Sequence, residues 1–94
     1  RSGEMTGTRF TLNNKMTRIG RSPECEILFD DITVSRSHAE ITASEDGLTV
    51  RDLGSLNGTY INREIIDQSK LVHGDELQVG KFHMILFSKA DNLI

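Results

Sequence analysis

Across its 94 residues the chain shows almost no helical periodicity. Its apolar residues come in short runs rich in β-branched and aromatic side chains, each closed by turn-forming residues. That spacing restricts it to an all-β fold. Strands are predicted at 9–12 (RFTL), 16–20 (MTRIG), 26–29 (EILF), 38–43 (HAEITA), 48–53 (LTVRDL), 59–62 (TYIN), 75–80 (DELQVG) and 82–88 (FHMILFS). Within LTVRDL, Leu48 and Val50 point one way and Thr49 and Arg51 the other, as in a half-buried strand. Asn13-Asn14, Asp46-Gly47, Asn57-Gly58 and Gly74-Asp75 mark turns between strands. The segment REIIDQSKL (63–71) is short and uncapped and is expected to hold at most a helical turn. Seven or more short strands at this spacing predict one domain, a β-sandwich of two antiparallel sheets. The chain opens on RSGEMTG, a Gly-containing turn with no strand before it. It is therefore expected to be a fragment of a longer protein, with its first strand missing or truncated.

Composition narrows the function. With 36% hydrophobic and 27% charged residues the chain resembles a folded soluble domain and not a disordered one. No apolar run approaches the ~20 residues of a membrane span. A formal net charge of −3 gives no global attraction to nucleic acid or to an anionic membrane, so any anion site must be local. The single cysteine, Cys25, cannot form an internal disulfide, which points to a reducing, cytoplasmic compartment; it is expected to pack as a small apolar side chain under a loop.

Three kinds of chemistry deserve weighing. Ser35, His38 and Asp52 supply the residue types of a hydrolase triad. Yet there is no nucleophile-elbow pattern, and a His three residues beyond a Ser in extended chain faces the opposite side. No enzyme is expected. His38, His73, His83 and Cys25 show no metal-ligand spacing, and Asp30-Asp31 and Asp75-Glu76 lack the calcium-loop pattern and read as solvated turns. No metal or cofactor is expected. Anion recognition fares better. The segments IGRSPE (19–24), VSRSH (34–38) and GSLNGT (54–59) hold Arg21, Ser35, Arg36, Ser55 and Asn57. An Arg offers a planar, permanently charged fork of donors that matches phosphate oxygens, and an Asn can grip a peptide backbone at both N–H and C=O.

Gly20-Arg21, Ser35-x-x-His38 and Asn57-Gly58, in this order on an all-β background, resemble the forkhead-associated (FHA) domain family. The likeness runs from GTRFTL to FHMILF, and DDITVSRSHAEI and DLGSLNGTYINRE look most like the small FHA regulators of actinobacteria. The resemblance implies an eleven-stranded sandwich that binds phosphothreonine peptides through loops at one end. It implies that Arg21 and Ser35 hold the phosphate, that Arg36 adds contacts and that Asn57 holds the peptide backbone. Gly20, His38 and Gly58 would be architectural. Many members carry Thr or Ser directly before the Asn, where this chain has Leu56 with Ser55 one residue earlier, so a phosphate-side hydroxyl is either lost or supplied by Ser55. The implied partners are a phosphothreonine-containing protein, the protein's own phosphorylated tail and a Ser/Thr kinase, with metabolic enzymes as targets. A sandwich that binds proteins independently of phosphorylation is the alternative.

Overall fold

The structure is a computed structural model describing residues 15–89, 92 and 93. The predicted strand at 9–12 and the turn at Asn13-Asn14 lie outside these residues. Eleven strands and no helix occur among the described residues: β1 (Met16–Gly20), β2 (Ile27–Leu28), β3 (Ala39–Ser44), β4 (Gly47–Asp52), β5 (Thr59–Ile61), β6 (Glu64–Ile66), β7 (Gln68–Leu71), β8 (Glu76–Val79), β9 (Phe82–Ile85), β10 (Ser88–Lys89) and β11 (Asn92–Leu93).

They form a five-stranded sheet in the order β2-β1-β3-β4-β7, a four-stranded sheet β6-β5-β8-β9, and the small pair β10-β11. Every pairing is antiparallel except β1 with β2, which run parallel. That parallel pair departs from the expected antiparallel sheets. The chain leaves β1 through a six-residue loop and returns alongside it.

Strand alternation decides what each sheet buries. In β4, Leu48 and Val50 are buried while Arg51 is exposed, as the two-residue period requires. Thr17, Ile19, Ile41 and Leu71 face inward on the same sheet, and Ile61, Leu77, Val79 and Phe82 on the other. These rows form one core, so the two sheets are the layers of a sandwich. Phe29, just past β2, stacks on Phe82 at 4.2 Å between ring centres and 8° between planes, joining the layers near the loop end.

Two elements differ from expectation. The segment 63–71 contains no helical turn; it forms β6 and β7. A two-residue turn at Asn62-Arg63 pairs Ile61 with Glu64, and β7 then crosses to pair with β4 in the other sheet. The predicted strand 82–88 stops at Ile85. Leu86 nevertheless remains tied, donating to the Asp75 carbonyl and accepting from Gly74 N–H.

Candidate functional site

Three loops meet at one end of the sandwich, and they meet on the backbone of residues 33–36. The β1–β2 loop arrives first. Arg21 N–H donates to the Ser35 carbonyl at 3.0 Å and Ser22 N–H to the Arg36 carbonyl at 3.2 Å. The Arg21 side chain follows the same path, its Nε donating to the Val34 carbonyl at 3.1 Å. That bond fixes the guanidinium and leaves its outer nitrogens facing solvent. The approach is possible because residue 20 is glycine. A Cβ there would overlap the Arg36 carbonyl, with the carbonyl carbon only 2.8 Å away.

The β4–β5 loop, which connects the two sheets, arrives second. Leu56 N–H donates to Ser35 Oγ at 3.0 Å, and Asn57 Nδ2 donates to the Thr33 carbonyl at 2.8 Å. Ser35 thus uses its oxygen as an acceptor and keeps its hydroxyl proton to give away. Asn57 retains its carbonyl oxygen and one N–H. Leu56 takes part through its backbone; its side chain, like that of Ile32, is 87% exposed beside the site.

His38 locks the two loops together. Its ring is fully buried. Ser35 N–H donates to Nδ1 at 3.0 Å, so that nitrogen must be the acceptor. The proton therefore sits on Nε2, which donates to the Gly58 carbonyl at 2.7 Å. Gly58 itself has φ +87°, a left-handed conformation that glycine adopts without strain.

Further braces carry residues whose role the sequence reading missed. Asp52 accepts from Gly54 N–H, Ser55 N–H, Ser55 Oγ and Thr59 Oγ1, at 3.0, 3.1, 2.5 and 2.6 Å. Burial alone would raise its carboxyl pKa, but the bonds from Ser55, Thr59 and Gly54 outweigh it and hold the group below its ordinary value. Asp31 works the same way in the β2–β3 loop, accepting from both the N–H and the hydroxyl of Thr33; those bonds lower its pKa. Asp31 also pairs with Lys81, so it is a loop brace and not the solvated turn residue expected. Asp75 likewise accepts from Val72 N–H and Asn62 Nδ2. For Asp31 and Asp52 the signal was legible in the spacing: an Asp two residues before a backbone N–H it can cap is a standard turn device.

Ser55 is drawn inward. Its hydroxyl donates to Asp52 and accepts from Gly58 N–H at 2.9 Å, which leaves no proton for an anion. Arg36 is exposed on the segment where the loops converge. Cys25 is buried beneath it, its thiol 3.5 Å from the Arg36 carbonyl, and burial pushes its pKa up.

The geometry also disposes of the triad pattern. Asp52 bonds Ser55 and Thr59, while both ring nitrogens of His38 go to backbone groups. No cluster of three metal-ligating side chains occurs among the described residues. No described helix is long and apolar enough to cross a membrane.

The profile of the FHA domain family matches residues 17–80, the span that holds all three loops. The chain belongs to the FHA domain family. Among relatives of this FHA domain, the glycogen accumulation regulator GarA of Mycobacterium tuberculosis is 46% identical over 86 residues, 92% of this chain and 53% of that protein. The oxoglutarate dehydrogenase inhibitor of Corynebacterium jeikeium is 48% identical over 86 residues, 92% of this chain and 60% of that protein. The FHA domain thus spans little more than half the length of these relatives, which are by name a regulator and an inhibitor. Among solved structures, an FHA domain from work on phosphothreonine-dependent FHA interactions superposes with a TM-score of 0.86 at 27% identity, over 94% of this chain and 92% of that one. M. tuberculosis EmbR, solved with a low-affinity phosphopeptide, gives 0.84 at 30% identity, over 87% of this chain and 22% of that one.

Proposed function

We propose that this FHA domain is a phosphothreonine-peptide reader in Ser/Thr-kinase signalling. The observation that carries the reading is the convergence of three loops on residues 33–36, which assembles Arg21, Ser35 and Asn57 around one backbone segment. Arg21 and the Ser35 hydroxyl take the phosphate, Arg36 adds a second cation, and Asn57 holds the peptide backbone. Gly20, His38 and Gly58 shape the site. Ser55 belongs with them, because its proton is committed to Asp52; together with Leu56 N–H it positions Ser35 and the turn.

Charge-assisted hydrogen bonds contribute roughly 1.5–3 kcal/mol each, so losing two with the phosphate weakens binding on the order of a thousandfold. That difference is the switch. The names of the relatives support a metabolic enzyme as target, and the lone free cysteine suits a reducing, cytoplasmic setting. A phosphorylated segment of the same protein is the natural competitor for the site.

The test is a titration with a degenerate phosphothreonine library and its unphosphorylated twin, using Arg21→Ala as control. Binding should need both the phosphate and Arg21, and should weaken below about pH 6 as the phosphate loses its second charge. Equal binding of both libraries, untouched by Arg21→Ala, would instead establish a phosphorylation-independent interaction domain.

A further inference from the structure

A groove of about 540 Å³ runs beside the site, and Asn57 and Thr33 form one wall of it. Tyr60 and Gln78, direct cross-strand partners of β5 and β8, line it further along. Arg63 and Lys81 also line it, and none of its residues is acidic. The two cations differ in status. Lys81 Nζ lies 3.3 Å from Asp31 and 5.7 Å from the centre of the Phe82 ring, so its charge is largely answered within the fold. The guanidinium of Arg63 forms no hydrogen bond or ion pair among the described residues and is exposed.

Arg63 is also in an unfavourable place. It is the second residue of the two-residue turn between β5 and β6, where φ is +52° at Asn62 and +73° at Arg63. Such turns favour Asn then Gly. Asn62 has a use in the fold, since its side chain donates to Asp75 and accepts from Glu76 N–H. Nothing comparable compensates for a long side chain at 63. A left-handed residue with no structural return, aimed at a groove that adjoins a ligand site, marks function more than folding.

We propose that Arg63 is a specificity residue that selects phosphopeptides carrying an acidic side chain on the Asn57 side of the phosphothreonine, bound along this groove. The proposal rests on the phosphothreonine reading of the site. The groove is positive where the molecule as a whole is negative, and Asn57, Gln78, Thr33 and Tyr60 place amide and hydroxyl groups among its otherwise apolar walls.

The test compares wild type, Arg63→Gly and Arg63→Lys on a phosphothreonine library degenerate at the flanking positions, with thermal melting alongside. Wild type should enrich Asp or Glu at a flanking position. Arg63→Gly should lose that preference, on the order of fivefold for a solvent-facing ion pair. It should keep its phosphate- and Arg21-dependent binding of neutral-flanked peptides and melt no lower than wild type, because glycine relieves the turn. Arg63→Lys should retain part of the preference. Acidic enrichment that is absent in wild type or unchanged in Arg63→Gly, with phosphate dependence intact, overturns the proposal. So does an Arg63→Gly variant that melts several degrees lower, which would assign the residue to the fold. Wild-type binding that ignores the phosphate overturns the underlying reading itself.

Discussion

His38 binds no ligand in this reading and yet governs whether one can be bound. One ring nitrogen fixes the loop that carries Ser35, and the other fixes the loop that carries Asn57. Replacing it with alanine removes two hydrogen bonds and leaves a void in a fully buried position. His38→Ala should cost about 2–4 kcal/mol in chemical denaturation, and the surviving folded fraction should bind phosphopeptide more weakly than wild type. Undiminished affinity would mean that the loops hold their places without the ring. At this scale the sequence was informative through order and spacing: Arg21, Ser35 and His38 are each ordinary alone and stood out only as a set. Ser55, expected as a donor to phosphate, gives its proton to Asp52, because a hydroxyl's direction depends on its neighbours. Asp52, the neighbour that captures it, had been weighed only as part of a catalytic set.

The elements were legible wherever alternation was strong. β1, β3, β4 and β8 fall within a residue or so of expectation, since each has an apolar face that only a strand can bury in one direction. β6 and β7 escaped because Glu64, Gln68 and Lys70 dilute the pattern and because the turn before them uses Arg where glycine would have announced it. The β4–β5 loop is an element in its own right, a short segment folded around one carboxylate. Because the folded pKa of Asp52 is depressed, its contribution is complete above the unfolded value of about 4 and is lost as pH falls through the lower folded value. Melting temperatures from pH 7 to pH 3 should therefore show Asp52→Asn well below wild type at neutral pH, with the gap narrowing in acid. A gap that stays constant would deny the carboxylate this role. Asp31 and Glu26, whose pKa values are also lowered, leave part of the acid dependence in place.

Taken whole, the molecule is negative while the proposed ligand is a dianion, so attraction must come from a few cations at one end and not from a general field. The two layers and the single core were foreseeable from strand count and spacing. The parallel β1–β2 pair was not, since a two-residue strand carries too little pattern to declare its direction. The loops at the ligand end are already bonded to one another: Arg21 to Val34, Leu56 to Ser35, Asn57 to Thr33. Among the described residues no buried side-chain donor or acceptor is left unmet, and the loop-to-loop bonds hold the residues of the site in one arrangement. The consequence is kinetic. Capture should be a single encounter, its observed rate rising linearly with peptide concentration in stopped flow at about 10⁵–10⁷ M⁻¹s⁻¹; a plateau would reveal a slow opening step. Peptides of different affinity should then differ in how long they stay, so the duration of the signal is written in the flanks of the phosphothreonine.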